Sequence, residues 1–410
     1  MKPKKPNWGK TPWNISFRAG ARRLPDHANF VVVGGGFTGL AAAAWLARMA
    51  PGKSVLLLEA GPVGNGASGR TGGMALAQTA AGDLPGLGDV LRGYRNILKK
   101  LHVQADLELP GVWEIARGNR SMEGKTVRPL KRSPIEWNDS GRVRAVHRVP
   151  GGTVDPGKVV AGLARAAEKA GAQIVQRAEV VKIEFGNPLR LHVRRKVKGR
   201  VKGQIVAAEK VLLATNSGSL ELGDKLFRGK VPAEPKLTFA IATAPLTKKQ
   251  IAAIGMGSGR PFYSVDLPYL WGRLVRGGQM IFGSGLVPGF AESLRGGEKA
   301  RKPADSHIEK VWSGLEAFDV RRGEPAERVR TLEERVRKLH PALNNVRVTH
   351  RWGGPILLTK NLVPVFRCHP KSKNVMVLGG YSGHGVALSV YLGRRAATIL
   401  LGQAEAPKWR

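Results

Sequence analysis

Apolar residues along this chain fall into short runs cut by glycine turns, and the spacing of those runs predicts the elements. Phe30-Val31-Val32-Val33 is a strand, Gly34 to Gly39 a turn, Leu40 to Met49 an Ala-rich helix, and Ser54 to Leu58 a second apolar strand. Strand, helix, strand in that order requires a parallel pair. Pro156 to Ala170 puts Val159, Val160, Leu163, Ala166 and Ala167 on one helical face, and Gly171 ends it. Ile174-Val175 and Val180 to Ile183 read as strands, residues 184–210 as a basic hairpin, and Lys210 to Ala214 as a further short strand. Alternation and turns over 236–285 predict an antiparallel sheet, and 303–340 reads as helical through Ile308, Val311, Trp312 and Leu315. The strand Val375 to Leu378, the turn 379–385 and a helix from Val386 to Leu401 close the chain. Residues 1–27 form a basic arm with Trp8 and Trp13 as its anchors.

The first turn carries chemistry. Gly34, Gly36 and Gly39 have the G-x-G-x-x-G spacing, after a strand and at the start of a helix. The first glycine makes the tight turn, the second admits a pyrophosphate, and the third lets helix and strand pack closely. The helix N-terminus directs N–H groups at phosphate. Glu59 lies 20 residues beyond Gly39, at the end of the second strand, where a carboxylate accepts ribose hydroxyls and repels a 2′-phosphate. The segment Gly64-Asn65-Gly66-Ala67-Ser68-Gly69-Arg70-Thr71-Gly72-Gly73 follows, rich in backbone donors and able to wrap a long ligand. This favours FAD over NAD.

The stretches VVVGGGFTGLAAA, LLLEA and GNGASGRTGG together resemble the D-amino-acid oxidase family of FAD-dependent oxidoreductases, in particular the branch of γ-glutamylputrescine oxidoreductase-like amine oxidases. GTVDPG at 152–157, LLATNSG at 212–218 and GGYSGHGVALS at 379–389 agree, so the likeness runs from about residue 28 to 402. It implies an α/β fold: a Rossmann-type FAD-binding domain with an inserted, mainly antiparallel β-sheet (α+β) substrate domain. The expected division is 28–80, 151–220 and 346–402 for FAD, and 81–150 and 221–345 for substrate. The resemblance gives cofactor contacts to Phe37, Thr38, Ala60, Ser68, Arg70, Thr71, Gly72, Gly73, Gly354 and Gly380. It puts the backbone of Val181 at the adenine, and Ala214 and Thr215 near the flavin and phosphates. Gly383, His384 and Gly385 open the last helix, whose positive end would face the flavin N1–C2=O edge. His384 as a capping or core histidine stands beside that reading.

The implied reaction is hydride transfer from a C–N carbon to flavin N5, followed by hydrolysis of the imine, which requires alignment and a dry pocket more than a dedicated base. Tyr263, Tyr269, Trp271 and Arg273 are the candidates to line that pocket, or are ordinary sheet residues. Ile356 falls where amino-acid oxidases of the family carry a carboxylate-gripping Arg, which favours an amine. The single cysteine, Cys368, is too near the last strand to match the relatives that attach FAD covalently, so non-covalent FAD is expected.

Composition then narrows the classes. Lys plus Arg number 67 against 30 Asp plus Glu, for a net charge of +37. Such a field repels a polycation and attracts anions. An amine with an acidic tail, for example a γ-glutamylated one, reconciles the charge with the missing Arg. The basic residues are spread along the chain and the densest run, Arg194 to Lys202, holds no aromatic for base stacking, which argues against nucleic acid without excluding it. The histidines show no metal-ligand spacing, and no G-x-S-x-G elbow marks a hydrolase. No apolar run reaches the roughly 18–20 residues of a membrane span, and one cysteine fits a reducing, cytoplasmic setting. Rival readings are a dehydrogenase that passes electrons to an acceptor other than oxygen, and a polyanion-binding protein that retains FAD.

Overall fold

The computed structural model describes residues 6–20, 23–118, 127–197, 200–218, 233–285 and 318–409. The first strand, His27–Val33, lies at the centre of a sheet between Val55–Glu59 and Arg200–Leu213, parallel to both, with Val32 level with Leu57 and Leu212. Gln173–Gln176 extends the parallel set on one side and Ser372–Gly379 on the other. Val365–His369 adds an antiparallel edge. A parallel sheet needs both faces covered, so its strands are continuous apolar runs rather than alternating ones. On one face lie the helices Phe37–Met49, Pro156–Lys169 and Gly385–Leu400. On the other, Val180, Leu191, Val193 and Val206 of three antiparallel strands bury Val31, Val33, Leu56 and Leu58.

The second sheet runs, in spatial order, Val348–Thr359, Ala233–Pro245, Gln279–Ser284, Trp271–Leu274, Phe262–Ser264, Val112–Ala116, Arg142–Val149 and Glu136–Asn138. It is antiparallel except where Phe262–Ser264 runs parallel to Val112–Ala116. One face buries Phe262, Phe282, Ile241 and Trp137 against Val329, Leu332 and Val336 of the helix Gly323–Leu339. The other face turns toward the glycine-rich segment 64–73.

Several boundaries differ from the sequence reading. The hairpin's second arm and the short strand at 210–214 are one strand, Arg200–Leu213, which pairs with Leu189–Val197 at its outer end and with the first strand at its inner end. Val348–Thr359, expected in the cofactor domain, is hydrogen-bonded along Ala233–Pro245 in the second sheet. The helix Val90–Lys100, expected in the substrate domain, packs Tyr94, Ile97 and Leu98 into the core under the first sheet. Its amphipathic pattern shows that one face is buried but not against which partner. The helical stretch around Ile308 to Leu315 lies outside the described residues, whereas the later part appears as Gly323–Leu339.

The arm is anchored by both tryptophans. Trp8 stacks on Phe318 with ring centroids 4.5 Å apart, and Trp13 Nε1 donates to Thr71 O at 2.9 Å. Gly9 bridges to Trp352, so the arm joins the second sheet before it crosses the segment 64–73.

Candidate functional site

The glycine turn has the contacts its spacing predicts. Gly34, at φ +111°, sits so close to Ala214 that a Cβ would stand 2.6 Å from the Ala214 carbonyl oxygen. A Cβ on Gly39 would stand 1.9 Å from Gly34 O, so helix and turn pack only because that position is glycine. Ala214 and Thr215 thus lie directly beside the turn. Glu59 reaches back: its Oε2 accepts from Gly35 N and its Oε1 from Gly61 N, both at 2.7 Å. Burial raises the Glu59 pKa, and the two N–H bonds only partly oppose it. Each carboxylate oxygen retains lone pairs for a hydroxyl donor. Ala60 follows at the exposed end of this strand.

Ser68 Oγ accepts from Phe37 N at 2.9 Å, so a hydroxyl satisfies the first amide of the helix Phe37–Met49. Phe37 and Thr38 are buried in that first turn. Arg70 donates to Gly66 O at 3.0 Å and lies 5.6 Å over the Trp8 ring, and burial lowers its pKa to about 10. Gly354 touches Arg70, with a Cβ there falling 3.1 Å from Arg70 Cδ. Along this segment, between Ile15, Phe17, Val63, Gly64 and Arg70, runs a groove of about 210 Å³. A larger one of about 660 Å³ lies elsewhere, between the arm and Gly323–Leu339. Val181 is 44% exposed, and the pairing of its strand jumps from Val180 opposite Val193 to Lys182 opposite His192. The resulting bulge leaves the Val181 backbone out of the ladder.

The last turn is bonded to the first. Tyr381, which the sequence reading missed, shares a buried hydrogen bond of 2.6 Å with Thr38 Oγ1. Gly380, at φ +69°, donates its N–H to Asn216 Oδ1 at 2.9 Å. Gly383 adopts φ +88°, and a Cβ there would meet no atom of the described residues within 4 Å, just ahead of the helix Gly385–Leu400. His384 is the residue before that helix but does not cap it, since its side chain bonds no helical N–H. Burial lowers its pKa, so the ring is neutral. Tyr381 was findable in principle as a polar aromatic directly after a glycine turn.

Four pocket candidates were named from the sequence, and they divide. Tyr263 and Trp271 are register neighbours on one face of the second sheet, and the same row continues through Gly283 and Ala240 to Trp352. Residues directly opposite one another share a face. That face lies on the segment 70–73: a Cβ on Gly72 would strike the Trp271 ring at 2.1 Å, and Trp352 Nε1 donates to Arg70 O at 2.9 Å. Arg273 is on this face as well, but it does not offer its guanidinium to a pocket. It is 6% exposed, donates to the carbonyls of Gly72, Gly73 and Val154, and lies 5.5 Å over the Trp13 ring. It braces the segment, because buried carbonyls require donors. Tyr269 sits on a turn whose carbonyls are held by two arginines: Arg335 donates to Tyr269 O and Pro268 O, and Arg117 to Leu267 O and Pro268 O. Asp139, 5% exposed, bridges both. Burial raises the Tyr269 pKa to about 12.

These features fit a long dinucleotide cofactor: a turn without side chains, a carboxylate at the end of the second strand, and an open helix start opposite them. The family model for FAD-dependent oxidoreductases matches residues 29–399. The chain is 26% identical to gamma-glutamylputrescine oxidoreductase of Escherichia coli (strain K12), over 91% of this chain and 84% of that protein. Its fold is similar to the L-amino acid deaminase of Proteus myxofaciens (TM-score 0.68, 16% identity, 98% of this chain and 96% of that one). Glycine oxidase from Geobacillus kaustophilus is also similar in fold (TM-score 0.64, 18% identity, 93% and 96%). With the family model spanning nearly the whole sequence, the chain belongs to the D-amino-acid oxidase (DAO) family of FAD-dependent oxidoreductases.

Proposed function

We propose that this protein oxidises a C–N bond in a small amine or amino acid, with FAD held non-covalently. When bound, FAD would supply the hydride acceptor for this oxidation, and water would hydrolyse the resulting imine. Glu59 would accept the ribose hydroxyls, the glycine turn and Ser68–Gly73 would follow the pyrophosphate, and the start of the helix Gly385–Leu400 would stabilise negative charge on the isoalloxazine edge. The aromatic row of Tyr263 and Trp271 would exclude water from the substrate side.

The observation that carries this reading is the bonded pair of turns. Tyr381 and Thr38 fix the end of the chain to the pyrophosphate turn, so both ends of an extended flavin would meet prearranged helix starts. An amine with an acidic tail is the preferred substrate, on the charge of +37, on Ile356 in place of an Arg, and on the likeness to gamma-glutamylputrescine oxidoreductase of Escherichia coli. The test is anaerobic mixing of the purified yellow protein with free and γ-glutamylated amines and with amino acids. Bleaching of the flavin is expected, strongest with the acidic amines. A folded, FAD-loaded protein that no member of the set bleaches would refute the proposal. Peroxide formed during aerobic turnover separates an oxidase from a dehydrogenase that uses another acceptor.

A further inference from the structure

The carbonyls of Arg70 to Gly73 are all taken by side chains of the second sheet and the arm. Trp352 Nε1 donates to Arg70 O and Trp13 Nε1 to Thr71 O, both at 2.9 Å, and Arg273 Nη1 donates to Gly72 O and Gly73 O. A trans peptide directs its C=O and N–H to opposite sides, so each held carbonyl turns the next N–H away from its donor. Thr71 N–H is used within the segment, by Ala67 O at 2.9 Å, and Gly73 N–H reaches Thr71 Oγ1 at 3.3 Å. Gly72 is buried, yet among the described residues no acceptor meets its N–H. Orphaned N–H groups are rare in protein interiors, so this one calls for an acceptor that the chain itself does not supply.

The position of Gly72 says what that acceptor is. The segment begins at Ser68, against the first amide of the helix Phe37–Met49, where a pyrophosphate belongs. Gly72 lies four residues further on, against the Trp271 ring of the second sheet, which is the isoalloxazine end of an extended FAD. The peptide that carries this N–H is the one whose carbonyl Trp13 holds. Trp13 is itself locked. It is 8% exposed, packs with Ala240, Ala242 and Ile281, and has Arg273 5.5 Å over its ring. Just beyond it, Arg165 Nη1 donates to Ser16 O at 2.9 Å, and a Cβ on Gly157 would stand 2.5 Å from Asn14 O. We propose that Trp13 is a positioning residue of the cofactor site: through the Thr71 carbonyl it aims the Gly72 N–H at the flavin ring. This rests on the assignment of FAD to the segment, and it makes the arm part of the cofactor site. A donor so placed favours the negative charge of a reduced flavin.

The experiment compares the parent with Trp13→Phe, which keeps a ring for Arg273 and the sheet but has no N–H. A second variant carries benzothienylalanine at position 13, an isostere of tryptophan with sulfur in place of the N–H. Each protein is freed of cofactor and titrated with FAD, and the absorbance spectrum and midpoint potential of the bound flavin are recorded. In both variants the dissociation constant for FAD should rise about three- to tenfold, the range for one hydrogen bond. The flavin bands should shift and the potential should become more negative. A tryptophan with only a structural role would lower the urea midpoint and leave the spectrum and potential of the bound flavin unchanged. That result overturns the inference and leaves FAD binding standing. Should Trp13→Phe not fold, the isostere decides alone. Folded parent protein that binds no FAD overturns the cofactor assignment, and this inference with it.

Discussion

Glu59→Gln is expected to weaken FAD binding while leaving the cofactor-free fold nearly as stable. The carboxylate accepts two backbone N–H groups, one from Gly35 and one from Gly61. An amide has one oxygen, so one of those donors would face an NH2 group and lose its bond, at a cost of about 1 kcal/mol. Against this, burial is the largest influence on Glu59 and disfavours its charged form. A neutral side chain escapes that penalty, and the two effects oppose each other. The net change in the cofactor-free protein should be within about 1 kcal/mol by urea titration. FAD binding has no such offset. Hydroxyl-to-carboxylate bonds contribute about 1.5–3 kcal/mol, so the dissociation constant should rise roughly ten- to hundredfold. Titration of cofactor-free protein with FAD, followed by flavin fluorescence, measures it. A variant that binds FAD within about threefold of the parent would show that Glu59 does not meet the ribose, and the assignment of the site would fall.

Tyr381→Phe should destabilise the protein by about 1–3 kcal/mol in denaturant titration, because it leaves the buried Thr38 hydroxyl without its 2.6 Å partner. Arg273 donates from Nη1 to the carbonyls of Gly72, Gly73 and Val154 and from Nε to Leu274 O; Arg273→Lys keeps the charge but has one nitrogen for these two positions, so it should cost about 1–3 kcal/mol and lower FAD content on purification, and full FAD occupancy with unchanged stability would contradict the bracing role. Burial depresses the pKa of His384 below its unfolded value, so the neutral ring contributes stability that is present above about pH 6.5 and lost as the pH falls. The urea midpoint should drop from pH 7 to pH 5, and His384→Asn should flatten that drop. His350, depressed by burial and by Lys10, adds in the same direction and will remain in the variant.

The cofactor half was legible because its signals are local. Gly34, Gly36, Gly39 and Glu59 lie within one strand-helix-strand unit, where Gly39 meets Gly34 and Gly35 meets Glu59, although Gly34 also meets Ala214 from a distant strand. Val181 was placed by resemblance alone; a bulge cannot be read from a run of alternating residues. The substrate half was less legible because its determinants are far apart in the chain. Arg273 reads as a pocket cation until its three carbonyl partners, about 120 and 200 residues away, are seen. Likewise, Val348–Thr359 has an apolar pattern that suits either sheet, and only its pairing with Ala233–Pro245 assigns it.

The N-terminal arm has a consequence for biosynthesis. Trp8 packs on Phe318, and Gly9 bridges to Trp352, so the arm is completed by partners synthesised more than 300 residues after it. At about 5–20 residues per second, the arm waits roughly 15–70 s for its seat. It must therefore dock after Phe318 and Trp352 have been made, and it closes over the segment Gly64–Gly73 after that. A bulky fusion ahead of Asn7 would burden that final step rather than the formation of either sheet.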